Sequence, residues 1–137
     1  MKKKIIAMVA AVMLCSAGSA FAAASEGSKL LCTAAFLKLA GEGYEIDYAD
    51  ADDLTTSQVK RYSGNREADV TYAAVGVAVE DETKIRVKVF DENEKLIEED
   101  TDVRMAVASH TPKWTGKFAY TVDVYKNTDF CFGILTK

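Results

Sequence analysis

The chain has 137 residues, and its 17 basic and 21 acidic side chains give a formal charge of -4. This length fits a single domain with its own hydrophobic core. The acidic balance argues against a nucleic-acid or anionic-membrane partner, because binding to either depends on clustered Lys and Arg.

The first 22 residues have the pattern of a secretory signal peptide. A basic start, Met1–Lys4, precedes the apolar run Ile5–Leu14, and Ala20-Phe21-Ala22 matches the small-x-small pattern before a cleavage site. The apolar run is shorter than the ~20 residues that a membrane-spanning helix needs. Cys15 follows Val-Met-Leu rather than the small residues of a lipobox, so lipidation is not expected. We therefore expect cleavage after Ala22 and export to the periplasm or the exterior.

The predicted mature chain, residues 23–137, is one domain with no membrane span. Removal of 22 residues from 137 leaves 115, and loss of three lysines lowers the basic side chains from 17 to 14, so the formal charge becomes -7. Cys32 and Cys131 are the two cysteines that remain. An even count in an oxidising compartment predicts a disulfide between them.

A helix is predicted at the start of the mature chain. Ser25 or Ser28 can cap it, Leu30–Ala40 repeats apolar residues at helical spacing, and Gly41 and Gly43 end it. Cys32 belongs to the apolar stripe and therefore faces the surface on which the helix packs. The stripe consists of Cys32, Ala35, Phe36, Leu39 and Ala40.

From Tyr44 onward the hydrophobic period changes to two, which predicts β-strands. Turn residues separate the apolar segments at intervals of roughly 8–12 residues, a spacing typical of an antiparallel sandwich. Val70–Val79 is apolar on both faces, which favours a central strand, and Asp91–Glu94 supplies the turn of a hairpin. The predicted strands are 44–48, 54–62, 70–79, 84–89, 95–98, 103–109, 118–124 and 130–136, and Ser63-Gly64-Asn65 is the predicted turn after the second of them. The fold class is mainly β, an antiparallel and jelly-roll-like β-sandwich with one N-terminal α-helix packed on it.

Four segments of the chain resemble a family of small secreted bacterial proteins. They are Leu39–Tyr44, Thr71–Val77, Val87–Asn93 and Thr111–Gly116. In that family a short helix ending in Gly-x-Gly-Tyr precedes a β-sandwich similar to the bacterial pre-peptidase C-terminal domain. The resemblance implies an exported accessory domain without a catalytic residue.

The chain departs from this family in its cysteines. The family carries paired cysteines after the central strand, where this chain has Val79–Glu82, and again before the last strand, where only Cys131 is present. The disulfide pattern of the family therefore does not transfer to this chain.

His110 is the only histidine, and it lacks the neighbours of a catalytic centre. Ser109 is adjacent to it, but adjacent residues of a strand point to opposite faces, and no Gly-x-Ser-x-Gly motif is present. One histidine and two distant cysteines also lack the ligand spacing of a zinc site. The sequence predicts no enzyme and no cofactor.

Calcium is the remaining inorganic candidate. Two acidic clusters, Asp47 with Asp50–Asp53 and Glu98–Asp102, are interpreted as loops that offer the hard oxygen ligands calcium uses. Neither matches the EF-hand loop. No metal is therefore predicted, and Asp50 and Asp52 are the first candidates should calcium bind.

The loop from His110 to Gly116 contains the only Trp and the only Pro. His110, Lys113 and Trp114 form a candidate ligand surface for sugar or peptide, extended by the aromatic residues Phe118 and Tyr120. The alternative, favoured by the usual burial of large aromatics, is that Trp114 closes one end of the sandwich.

These observations favour an exported, non-catalytic accessory or binding module of the bacterial envelope. Its partner would be an envelope protein or polysaccharide that no residue identifies. The alternatives are a structural or assembly component that pairs through strand edges, and a calcium-binding module.

Overall fold

The computed structural model describes residues 26–137, with side chains described from Cys32 onward. The predicted signal peptide, its cleavage site after Ala22 and the candidate cap Ser25 lie outside the described residues. No helix within the described range is long and apolar enough to cross a membrane.

One helix and eight strands form the described chain. Their bounds are α1 Glu26–Gly41, β1 Glu45–Leu54, β2 Lys60–Arg66, β3 Tyr72–Ala78, β4 Lys84–Phe90, β5 Leu96–Val103, β6 Met105–His110, β7 Gly116–Val124 and β8 Thr128–Thr136.

The strands form two four-stranded antiparallel sheets. The first sheet has the order β1-β8-β3-β6 and the second has the order β2-β7-β4-β5. Eight strands in two such sheets are the arrangement of a jelly roll. The predicted fold class is therefore confirmed, and so is the central position of β3.

An inner core fills the space between the two sheets. In β8, Phe130, Phe132 and Ile134 point into it, and Phe118 and Tyr120 of β7 meet them from the second sheet. This alternation follows from the period of two along each strand.

An outer core lies between α1 and the far face of the first sheet. It contains Cys32, Phe36 and Leu39 of α1 together with Cys131 and Leu135 of β8. The predicted disulfide is present between Cys32 and Cys131, which are separated by 99 in sequence number. The helix is thus packed on the sandwich through the predicted stripe and bonded covalently to its last strand.

The predicted acidic loops are wrong, because both are strands. Asp50–Asp53 belongs to β1, where Ala49 and Ala51 contribute to the outer core and the intervening Asp50 and Asp52 face the opposite sheet. Glu98–Asp102 belongs to β5, an edge strand whose side chains are mostly exposed. In both segments the period of two is hidden, because small or exposed residues replace the usual large apolar ones.

The predicted strand 54–62 is also misplaced. Leu54 ends β1, and β2 begins at Lys60 and continues through Ser63, Gly64 and Asn65, which were read as a turn. Gly64 pairs with Phe118 of β7 within the ladder. Composition suggested a turn there, whereas pairing with β7 holds the segment extended.

Candidate binding cleft

A cleft opens between β1 and β2, which are edge strands of opposite sheets. We call it the edge cleft. Its volume of about 370 Å³ lies at the small end of the range for ligand sites. The lining residues are Asp47, Tyr48, Tyr62, Ser63, Gly64, Arg66 and Ile134.

Two tyrosines form an aromatic wall of the edge cleft. The ring of Tyr62 stacks on Phe132 of the inner core, with 4.4 Å between centroids and 7° between planes. Tyr48 lies 5.7 Å from Tyr62, and 44% of its residue surface is exposed. The half-buried ring of Tyr62 therefore supports the more accessible ring of Tyr48.

Polar bonds join β1 to β2 beside this wall. The Tyr62 hydroxyl donates to Asp50 over 2.8 Å, and Lys60 donates to Asp52 over 3.0 Å. Burial, followed by the bond to Asp50, raises the pKa of Tyr62 above its usual range, and the bond from Lys60 lowers the pKa of Asp52. These bonds tie the two sheets together at their open side.

The calcium candidates Asp50 and Asp52 are thus both engaged by protein donors. Within residues 26–137, no group of three or more His, Cys, Asp or Glu side chains is arranged to hold a metal ion. The structure gives these two carboxylates a role in joining the sheets.

Arg66 lies at the end of β2 and is only 8% exposed. Its Nε donates to the Tyr120 hydroxyl over 2.9 Å, and its Nη1 donates to the Asn65 carbonyl over 2.8 Å. The guanidinium carbon lies 5.4 Å and 5.3 Å from the ring centroids of Tyr72 and Tyr120. The nearest carboxylate is Asp47, whose Oδ2 is 3.8 Å from Nη1. Among the described residues no acceptor bonds to Nη2, so this group is available to a ligand.

Because Gly64 has no side chain, the space beside the guanidinium of Arg66 is left open. A Cβ at this position would lie 3.2 Å from Nη1 and 3.4 Å from Nη2 of Arg66. Contacts this short require the neighbouring side chain to shift. Glycine within a strand often marks such a close approach, so Gly64 is the signal in the sequence that could have pointed to the cleft, although it was interpreted as a turn residue.

His110 lies behind Arg66, at the end of β6. Its Nε2 is 2.9 Å from the Tyr120 hydroxyl, and its ring lies 5.6 Å from that of Tyr72. Burial, followed by the positive charge of Arg66, lowers the pKa of His110 to about 4. Its Nδ1 is buried without a hydrogen-bond partner in the described chain. Ser109, the neighbouring residue, is exposed on the opposite face of β6.

The candidate surface read from the loop is divided in the structure. Lys113 and Trp114 are exposed, whereas His110 is half-buried. The interpretation of Trp114 as a plug is wrong, since 42% of the residue is exposed and its ring meets Phe118 at 5.8 Å. Phe118 and Tyr120 are buried in the inner core, so neither extends that surface.

Three residues of the edge cleft escaped the sequence analysis as ligand-binding candidates, and the fourth, Asp47, was considered only as part of an acidic cluster for calcium. Tyr48 and Tyr62 fitted the alternation expected of half-buried strands, while Arg66 was an isolated charge in a short polar segment. Only the pairing of β1 with β8 and of β2 with β7 brings the four together. Those strand partners are too far apart in sequence for periodicity to identify.

No protein-family model matches the chain, and no curated protein matches it. Solved structures do resemble it. The periplasmic inhibitor of g-type lysozyme PliG from Aeromonas hydrophila is 10% identical, with a TM-score of 0.52 over 66% of this chain and 85% of that one. The carbohydrate-binding module TmCBM61, solved with β-1,4-galactotriose, is 18% identical, with a TM-score of 0.42 over 69% of this chain and 81% of that one. At these identities the resemblance concerns the fold.

The comparisons bear on the family resemblance seen in the sequence. The β-sandwich that it implied is confirmed. Its finer assignment, to proteins similar to the pre-peptidase C-terminal domain, has no matching family model and stays a prediction.

Proposed function

We propose that this protein is exported to the periplasm or the exterior and acts there as a non-catalytic binding module of the bacterial envelope, with an envelope polysaccharide bound in the edge cleft. The mature chain would be residues 23–137. The observation that carries the proposal is the composition of the cleft, where the exposed ring of Tyr48 lies beside the unused donor group of Arg66 and the carboxylate of Asp47.

The chemistry of the lining favours recognition over reaction. Its seven residues include no histidine, cysteine or lysine, and His110 is kept neutral behind Arg66 rather than in the cleft. What they offer is an aromatic surface, hydrogen bonds and charge, which are the means by which small polar ligands are oriented.

Export and binding agree with the location and role of PliG, a periplasmic lysozyme inhibitor of similar fold. The disulfide supports an oxidising compartment as well.

A protein partner is the second candidate, and β5 favours it. This edge strand exposes Leu96, Ile97 and Val103 beside its acidic residues, and exposed apolar side chains on a strand edge are a means of pairing with another protein. The acidic residues oppose pairing with a second copy of the same strand, so the partner would be a different chain.

The test compares two variants that each remove one exposed tyrosine. Tyr48→Ala changes the edge cleft, whereas Tyr125→Ala removes a ring that is 53% exposed and lies 5.7 Å from a different guanidinium, that of Arg86. Mature protein is sedimented with purified insoluble envelope polysaccharide, and retention is measured. We expect the native chain and Tyr125→Ala to be retained and Tyr48→Ala to lose at least tenfold in affinity.

The same preparations are passed over soluble envelope proteins. Retention by the protein fraction alone, unchanged in Tyr48→Ala but lost when Ile97 is replaced by Lys, would contradict the polysaccharide proposal and establish the partner of β5.

A further inference from the structure

The positive charge of Arg66 is incompletely balanced by the protein. Its close contacts, the Tyr120 hydroxyl, the Asn65 carbonyl and two aromatic rings, are all uncharged. The single nearby carboxylate, Asp47, is 3.8 Å from Nη1. Buried charges are normally paired, and guanidinium groups favour planar anions that accept two hydrogen bonds. An anion in the cleft would complete the environment of Arg66.

Asp47 sets a second requirement. Half of its side-chain surface is exposed, and an ionised carboxylate only accepts hydrogen bonds. A ligand that bonds to both residues must therefore carry an anionic acceptor and, within a few ångströms, a donor. The Asp or Glu side chain of a bound protein would supply the anion without the donor.

Tyr48 sets the third requirement, a flat group with an apolar face. Its accessible ring is supported by Tyr62 and Phe132, so it is a preformed stacking surface. The volume of about 370 Å³ suits one ring with its substituents.

From these three requirements we infer that the edge cleft binds a sugar ring that carries a carboxylate, such as a uronic acid or an acid-substituted amino sugar of a polysaccharide. Arg66 binds the carboxylate, Asp47 accepts from a hydroxyl or amide N–H of the same unit, and Tyr48 stacks on the ring. The inference rests on the proposed function, because it names the class of polysaccharide that the same cleft takes.

The net charge of the chain helps to distinguish specific binding from general adsorption. The predicted mature chain carries a formal charge of -7 and is repelled by polyanions as a whole. Retention by an acidic polymer would therefore reflect a local site rather than general adsorption.

The experiment uses purified envelope polysaccharide in two forms, native and chemically reduced so that each carboxylate becomes a primary alcohol. We expect the native form to bind the mature chain at least tenfold more tightly, with the difference decreasing as salt is added. Equal binding of the two forms would overturn the inference and leave the proposed function intact. Binding of neither form would overturn both.

Variants connect the difference to the cleft. Arg66→Lys keeps the charge but loses the planar fork, so the preference for the native polymer should fall about tenfold.

Gly64→Ala places a methyl group against the guanidinium and should weaken binding of the native polymer. Gly41→Ala is the matched control, because no atom lies within 4 Å of its new Cβ. Circular dichroism reports whether each variant is folded, and Gly64→Ala tests the site even if Arg66→Lys does not fold. An unchanged preference in a folded Arg66→Lys and in Gly64→Ala would contradict the assignment.

A further arm adds free amino acids as competitors, because a zwitterion also offers an anion beside a donor. The control competitor is a neutral sugar at the same concentration. Displacement of the native polymer by the amino acid but not by the neutral sugar would assign the cleft to an amino acid and overturn the inference.

Discussion

Tyr120 links the residue that lines the cleft to the histidine behind it. Its hydroxyl lies 2.9 Å from Nε of Arg66 and 2.9 Å from Nε2 of His110. Arg66 can only donate, so the hydroxyl hydrogen of Tyr120 is left to donate to a neutral imidazole. Protonation of His110 would replace this acceptor with a donor and place a second positive charge near Arg66.

The first prediction concerns stability at acidic pH. The pKa of His110 is about 4 in the folded chain, against an ordinary value of 6.5, so between these pH values the unfolded chain binds more protons. The stabilisation is therefore complete above pH ~6.5 and is lost as the pH falls toward 4. One pKa unit corresponds to ~1.4 kcal/mol. Because the ring is only part-buried, we expect the free energy of unfolding to fall by about 1–2 kcal/mol between these pH values.

Urea unfolding of the native chain and of His110→Gln at pH 7, 5.5 and 4 measures this loss. Glutamine retains an acceptor for Tyr120 and does not titrate between these values, and other acidic groups affect both proteins alike. The native chain should lose stability relative to the variant as the pH falls. Parallel curves would show that His110 does not contribute.

Single residues were predicted from the sequence where local pattern decides their environment. Cys131 lies on the face of β8 opposite Phe130 and Phe132, as the alternation of residues along the predicted strand 130–136 requires. The exposure of Trp114 was missed. Which of the neighbouring aromatic residues Trp114, Phe118 and Tyr120 is buried depends on packing in three dimensions, which the local sequence pattern does not specify.

At the scale of elements, the docking of α1 depends on one glycine in β8. The ring of Phe36 covers Gly133, where an added Cβ would lie 2.7 Å from Cζ and 2.9 Å from Cε1 of that ring. Phe36 is fully buried in the outer core, so the ring has little room to move. Close approach of the helix to the sheet therefore requires a residue without a side chain at this position.

The second prediction is that Gly133→Ala destabilises the protein. Overpacking of a filled core typically costs about 1–3 kcal/mol, and here the cost falls on the contact between α1 and the first sheet. Gly41→Ala is the control, because its Cβ would meet no atom within 4 Å. Denaturant unfolding monitored by circular dichroism should give a lower midpoint for Gly133→Ala than for Gly41→Ala, and equal midpoints would contradict the tight contact.

Elements were predicted well where large apolar residues alternate and poorly where they do not. The hairpin of β4 and β5 and the strands β3, β7 and β8 carry clear patterns and were found near their expected positions. β1 was cut short at its aspartates, whose partners Lys60 and Tyr62 belong to the other sheet. Side chains that are satisfied by a distant strand resemble loop residues when only their neighbours in sequence are considered.

At the scale of the whole molecule, the sheets join the two ends of the described chain. β1 pairs with β8, and β2 pairs with β7, so a long stretch of sequence lies between the partners of each pair. Because long loops must close before such distant contacts form, this topology favours slow folding. The disulfide acts on the same scale, because it bonds α1 to β8 across 99 positions.

The third prediction concerns this bridge. For a loop of about 100 residues the chain-entropy estimate is an upper limit of ~4.7 kcal/mol, which native strain and residual structure in the unfolded chain reduce. An isolated helix of the length of α1 is marginal in water, so its docking should depend most on the bond. The double variant Cys32→Ser with Cys131→Ser should therefore melt at a lower temperature while retaining the β-sandwich signal in circular dichroism.

Limited proteolysis should cut this variant first near Gly41–Gly43, where α1 ends, and release the helix before the sandwich is degraded. The oxidised native chain, confirmed by mass spectrometry without reductant, is the reference, and simultaneous cleavage of helix and sandwich in the variant would show that the outer core holds α1 without the bond.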